Sequence, residues 1–294
     1  MTMSYRRRAS PLHAARAGAG CAYCLALACA ALMLDNPLAL GAVTVAILAA
    51  GLGARVGHEL RRAMLLALPL GLMIALVNAL VTRDGLTVIV RLGDLPLLGH
   101  SDITAEASAF GAILGLRAVV LILCGALYTA AIDPDEVLRL FRRVSFRSAL
   151  TATLATRMVP VLARDSRRLA DAQRCRPGPA PSRLALMRAA SAGVLDRALD
   201  VAAALEVRGY GAARRPPRTR RPYSRHDLGF GASAACVMAI AIGSRVAGLA
   251  PFAAYPSLHA PVNVGVVAVA IALPACALAP FADRRGVGPR GTAR

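Results

Sequence analysis

The stretch Phe110-Gly111-Ala112-Ile113-Leu114-Gly115-Leu116-Arg117-Ala118-Val119-Val120-Leu121-Ile122-Leu123-Cys124-Gly125-Ala126-Leu127-Tyr128-Thr129-Ala130-Ala131-Ile132 decides the fold of this chain. It carries one charge, Arg117, in a run long enough to cross a bilayer as a helix, which takes about 20 apolar residues. Five further apolar runs repeat the pattern, at 19–34, 38–53, 63–81, about 228–250 and 262–281. The first two are short for spanning helices. Separated by the turn signal Asp35-Asn36-Pro37, they read together as a helical hairpin in the membrane. The expected fold is all-α, a polytopic membrane protein with about six transmembrane helices.

Composition agrees. Of 294 residues, 57% are hydrophobic and 17% charged, where soluble domains carry about 25% charged. The formal charge is +19, and because the chain contains no lysine that charge rests on arginine. Such uniformity marks a genome-wide codon bias, so the position of an arginine is more informative than its presence. Without lysine there is no G-x-x-x-x-G-K-[ST] phosphate loop, and any ATP-driven work needs another subunit to hydrolyse the ATP. Aromatic residues make up 4% of the chain, too few for the stacking that single-strand binders interleave with their basic groups, so no nucleic acid partner is expected. Cys21-Ala22-Tyr23-Cys24 has redox-motif spacing but lies inside an apolar run, where cysteines read as small buried hydrophobes. No cofactor and no metal site is expected.

The polar segments test the topology. Arg6, Arg7, Arg8 and Arg16 precede the first run; Arg55, Arg61 and Arg62 lie in 54–62; 133–227 is densely arginine-rich; Arg284, Arg285, Arg290 and Arg294 close the chain. The alternating segments differ. Residues 35–37 hold one acid, 82–109 holds Asp84, Asp94, Asp102 and Glu106 against two arginines, and 251–261 has no Asp, Glu or Arg. That is the positive-inside pattern of six helices in a cell membrane with both termini cytoplasmic. The Arg6–Arg8 cluster, the apolar stretch after it and Ala28-Cys29-Ala30 also imitate a cleaved signal peptide. Cleavage would remove a span and break the alternation, so the segment is read as a retained helix. The expected organisation is a basic N-terminus at 1–18, four helices within 19–132, a cytoplasmic segment at 133–227, two helices within 228–281 and a basic tail at 282–294.

The cytoplasmic segment opens with Asp133-Pro134-Asp135-Glu136-Val137-Leu138-Arg139-Leu140-Phe141-Arg142-Arg143, in which Asp133 suits an N-cap, Pro134 the first helical position and the arginines the last turn. Val137, Leu138 and Phe141 are the side chains this short helix would bury. A long helix is expected from about Ser148 to Arg174, with a stripe of Leu150, Leu154, Met158, Val161, Leu162, Leu169 and Ala172 and a kink at Pro160. Pro177-Gly178-Pro179-Ala180-Pro181 breaks it, and Ser182 caps a second helix reaching Arg208, with a stripe of Leu184, Met187, Val194, Leu195, Leu199, Ala202 and Leu205. Gly209 is its expected stop. Charge interrupts both stripes too often for a span, so these amphipathic rods lie on the membrane surface, on each other or on a partner protein. Each ends in an arginine just before a break, where the helix dipole favours a cation and a planar guanidinium can project to a partner's carboxylates and carbonyls.

These residues resemble a known family. Ala204-Leu205-Glu206-Val207-Arg208-Gly209-Tyr210-Gly211 is similar to the second Ala-Arg-Gly signature of energy-coupling factor (ECF) transporter T components, the EcfT/CbiQ family. Asp133 to Arg142 resembles that family's first cytoplasmic helix, Arg157-Met158-Val159-Pro160 its R-x-x-P pattern, and Ala172-Gln173-Arg174-Cys175-Arg176 its first signature. The resemblance covers about residues 35–285. It implies a non-catalytic membrane scaffold that joins a substrate-binding S component to two cytosolic ABC ATPase subunits in a vitamin or cobalt/nickel importer. Arg176 and Arg208 would each dock on one ATPase, with Glu206 and Gly209 shaping the second tip. The chain departs from the family at Cys175-Arg176-Pro177, where Ala-Arg-Gly is usual, and at Val207. Pro177 restricts Arg176 towards extended geometry, which makes Arg174 a second candidate at the first tip.

Two other classes compete. A permease subunit of an ordinary ABC importer would use a single coupling helix, against the two rods here. An intramembrane enzyme would need acids, histidines or metal ligands at membrane depth. The spans hold only Arg117 and Arg245 as charged residues, and Arg117, in the outer part of the fourth span, reads as a snorkelling side chain. His58, His100, His226 and His259 fall in loops or at span ends and read as solvated. The residues do not say what is carried.

Overall fold

Polar residues set the helix ends. Asn36 accepts a hydrogen bond from the Leu38 amide at 3.0 Å with Pro37 in the first turn, so the chain leaves one helix and enters the next within a few residues. Ser224 and Asp227 form a reciprocal capping box at another helix start. Asp133 accepts from the Asp135 amide at 2.9 Å, and its carbonyl accepts from Glu136 and Val137. The structure is a computed structural model, and it describes residues 8–82, 87–95, 99–141, 146–175, 177, 182–209, 223–252 and 263–283.

In chain order the elements are α1 (Pro11–Ala14), α2 (Ala17–Met33), α3 (Pro37–Gly53), α4 (Gly57–Val81), β1 (Val88–Leu95), β2 (Gly99–Thr104), α5 (Ala105–Ala131), α6 (Pro134–Phe141), α7 (Phe146–Arg174), α8 (Arg183–Val207), α9 (Arg225–Val246) and α10 (Val264–Ala282). Each of the six apolar runs is a helix, and the chain is an all-α polytopic membrane protein. Helices α4, α5, α9 and α10 are long and apolar enough to cross a membrane. Helices α2 and α3 have 17 residues each, and at about 1.5 Å per residue they reach about 25 Å, the short end of a spanning length. The chain divides into two units, Met1–Leu140 with Tyr223–Arg294, and Phe141–Pro222.

In the first unit, α4 packs on α5, α2 on α9, and α3 on α10. Small residues permit the first of these contacts. A Cβ at Gly111 would lie 2.6 Å from the Ala75 carbonyl oxygen, and one at Gly71 would lie 2.9 Å from that of Gly115. Between membrane helices, where no hydrophobic force separates lipid from protein, such close backbone approach is what holds a pair together. Helices α2, α9 and α10 meet at an aromatic cluster. Tyr23, Phe230 and Phe281 contact edge to face, with centroids 5.3 Å apart for Tyr23–Phe230 and 5.2 Å for Phe230–Phe281. The Tyr23 hydroxyl donates to the Ala277 carbonyl at 3.0 Å, so its polar end is satisfied in the core. Cys24 and Cys124 are buried and Cys21 is half-buried, while Cys236 and Cys175 are exposed; all seven thiols are free.

A small antiparallel hairpin, β1–β2, interrupts the helices between α4 and α5, with Arg91 opposite Asp102 and Asp94 opposite His100 in register. The sequence pattern showed only a polar connection here. Gly93 interrupts the alternation that would announce a strand, and a two-stranded hairpin needs support from its neighbours. That support comes at its base. The Thr87 hydroxyl donates to Glu106 at 2.9 Å, its carbonyl accepts from the Ala105 amide at 2.9 Å, and Glu106 is buried rather than solvated.

The second unit holds α7 and α8. Helix α7 runs unbroken through Pro160, and Leu154, Met158, Val161, Leu162 and Leu169 of the expected stripe are half-buried, whereas Ala172 is exposed and the side chain of Leu150 lies outside the described residues. Ser182 caps α8, accepting from the Ala185 amide at 3.2 Å. The inner face of α8 differs from its expected stripe. Ala190, Arg197, Val201 and Leu205 are the half-buried residues, and Arg197 pairs with Asp165 of α7. Leu184, Met187, Val194, Leu195 and Leu199 are exposed. Leucine and valine occur on more than one side of α8, so its apolar pattern alone does not pick the face.

Candidate functional site

The two rod ends differ in what can be described of them. At the end of α8 the Arg208 amide donates to the Ala204 carbonyl at 3.3 Å, and the Gly209 amide donates to Glu206 at 2.8 Å. Gly209 has φ +74°, the left-handed geometry that ends helices and that glycine adopts without a steric cost. Arg208 keeps a near-helical backbone, φ −79° and ψ 5°, and is exposed. Among the described residues no side chain pairs with its guanidinium. Val207 beside it is 90% exposed. The tip therefore offers one exposed cation on a backbone set by the glycine stop, with an apolar neighbour and the Glu206 carboxylate on the same turn.

At the end of α7, the Cys175 amide closes the last turn on the Asp171 carbonyl at 3.2 Å. Arg174 pairs with Asp171 at 3.4 Å, both side chains largely exposed, and exposed pairs at this spacing are weak enough to be exchanged for a partner. Arg176 lies outside the described residues, as do Tyr210 and Gly211. Pro177 is exposed in a bend. The structure thus positions Arg174, Glu206, Arg208 and Gly209, and its description stops short of Arg176.

The roots of the bundle are tied by charge. Asp227, at the start of α9, accepts from the Arg16 amide at 2.6 Å and pairs with the Arg16 guanidinium at 3.3 Å, its own side chain only 4% exposed. The same guanidinium stacks 4.4 Å from the Tyr223 ring centroid. Arg8 reaches the Glu59 carboxylate and the Arg55 carbonyl. His226 is buried at this end of α9, where its position near a span end suggested a solvated side chain. His58 is exposed, and the side chains of His100 and His259 lie outside the description.

A charged cluster at the opposite ends of α2 and α9 went unread in the sequence. Arg117 donates through Nη2 to Asp35 at 2.7 Å and to the Leu34 carbonyl at 3.1 Å. Arg245 pairs with the other oxygen of the same carboxylate. Arg117 therefore does not snorkel, because an acid in the α2–α3 turn holds it in the bundle. The signal available in sequence was Asp35 itself, an acid in the tight turn between two apolar helices.

Among the described residues no three His, Cys, Asp or Glu side chains gather where they could hold a metal ion. A protein-family model described as CbiQ, cobalt transport protein, matches residues 8–219. No curated protein matches the chain at a significant level.

Proposed function

This chain belongs to the CbiQ family of cobalt transport proteins, and from that premise we propose that it is the transmembrane coupling subunit of an ECF-type importer. It is a membrane component of an ABC-type transporter, from a family of transport proteins rather than enzymes. In the proposed role it passes ATP-driven motion from two cytosolic ATPases to an S component, for uptake of cobalt, nickel or a vitamin. Both termini and the α7–α8 unit face the cytoplasm.

The observation that carries this reading is the end of α8, an exposed arginine on the last turn before a glycine stop at φ +74°. A guanidinium presented at a rod end can enter a groove on a partner and make two parallel hydrogen bonds there. The exposed Leu184, Met187, Val194, Leu195 and Leu199 supply apolar surface along the same helix. Rods of 29 and 25 residues span about 40 Å at about 1.5 Å per residue, long enough to carry a displacement at the tip across a protein domain. The Arg197–Asp165 pair is one contact between the rods. Arg176 has the first tip's role by its resemblance, with Arg174 beside it.

The test is copurification with the ATPases and substrate uptake in cells carrying Arg208→Glu. Charge reversal should abolish both, while Arg188→Glu, an exposed site on the same helix, should leave them intact. Normal ATPase retention and uptake in Arg208→Glu would show that the coupling assignment is wrong.

A further inference from the structure

The Asp35 cluster carries more positive charge than a structural clamp needs. Two guanidiniums share one carboxylate, which leaves one net positive charge at the ends of membrane helices. Of the five N–H donors of an arginine, Arg245 commits one nitrogen to Asp35, and its side chain is 61% exposed. Arg117 shares Nη2 between two acceptors and leaves its Nε without one. An isolated clamp would be complete with Arg117 and Asp35 alone.

The surroundings say where the spare charge points. Arg245 lies in the last turn of α9, a helix apolar enough to cross the membrane. Ile242 and Leu249, three residues before and four after it, are both exposed, and so is Val246. A guanidinium thus emerges through an exposed apolar surface at the end of a helix long and apolar enough to cross a membrane. With both termini cytoplasmic this end of α9 meets the outer leaflet, where the planar guanidinium fork matches the phosphate of a lipid headgroup.

We propose that Arg245, held by Asp35 and backed by Arg117, binds the phosphate of an anionic lipid headgroup and so fastens this end of the bundle to the bilayer. Asp35 positions the two arginines and at the same time limits the affinity, since its charge cancels one of theirs.

The full chain, purified with its bound partners, is placed in nanodiscs of phosphatidylcholine alone or with phosphatidylglycerol, and retained lipid is counted by native mass spectrometry. Phosphatidylglycerol should be retained over phosphatidylcholine and should raise the thermal midpoint. Arg245→Gln should weaken that preference about tenfold, the size of one charge-assisted hydrogen bond, with little change in the midpoint in phosphatidylcholine. Asp35→Asn should strengthen the preference, the opposite of what loss of a simple clamp would do. Inorganic phosphate added to phosphatidylcholine discs separates the sources. If it has no effect the ligand is the lipid headgroup, and if it stabilises the chain in an Arg245-dependent way the site takes phosphate from solution. Equal retention of the two lipids by the wild type, with or without a response to phosphate, or an undiminished preference in Arg245→Gln, would overturn the proposal. Should Asp35→Asn fail to fold, Arg245→Gln decides alone.

Discussion

Asp227 accepts a hydrogen bond from the Arg16 backbone amide at 2.6 Å, across 211 positions of sequence. One carboxylate thereby closes the start of α2 and, through its capping box with Ser224, the start of α9. Helix α9 is where the chain re-enters the bundle after the α7–α8 segment. The contact fixes the first and fifth apolar helices to each other at their roots.

Replacing Asp227 with alanine removes a cap and leaves the Arg16 cation without its carboxylate. Removing one partner of a buried pair costs about 3–5 kcal/mol. A large fall in the thermal midpoint in detergent is therefore expected. Asp227→Asn, which can still cap, should lose less; equal losses in the two variants would mean that the charge contributes nothing.

The glycines of the apolar helices should divide into two groups. Gly111→Val and Gly71→Val force a side chain into a facing backbone carbonyl and should separate the two helices, seen as new protease sensitivity in the 82–104 connection. Gly125 and Gly231 have open space where a Cβ would go. Alanine at either should be neutral or stabilising by up to about 1 kcal/mol, the helix-propensity difference. Comparable damage from both groups would contradict the α4–α5 packing.

Cys236 and Cys276 place their sulfurs 3.2 Å apart across α9 and α10. Diamide, which accepts the two electrons and two protons released, should join them in an intramolecular disulfide readable by peptide mass spectrometry. Cys236→Ser should abolish that cross-link. Its absence in the oxidised wild type would count against the α9–α10 arrangement.

At the end of α8, Gly209→Val puts a branched side chain into a left-handed conformation, which costs about 1–2 kcal/mol. The helix should persist and the direction of the Arg208 tip should change. The expected result is ATP hydrolysis that continues while uptake falls, so the ratio of transport to hydrolysis is the quantity to measure. An unchanged ratio would show that the glycine stop does not matter to coupling.

The six apolar helices, the caps at Asp133 and Ser182 and the break before Ser182 were legible because each depends on neighbours in sequence. A run of apolar residues, a Pro after Asn36 or a glycine after Arg208 acts over a few positions. The Arg208 tip was legible for the same reason, and the structure adds that its guanidinium is exposed. The β1–β2 hairpin was not legible, because Gly93 breaks its alternation and its support comes from Glu106 on the next helix.

Other features depended on which segments fold together. Nothing along the chain says that Asp35 faces Arg117 and Arg245, which lie 82 and 210 residues away, or that α8 turns Arg197 inward and leaves Leu195 and Leu199 exposed. Apolar periodicity gives a helix its faces but cannot rank two apolar faces, and an ion pair between distant positions exists only once packing has brought them together. Sequence alone determined the membrane-spanning architecture and the positions of the rod ends. Tertiary structure alone decided which charges meet.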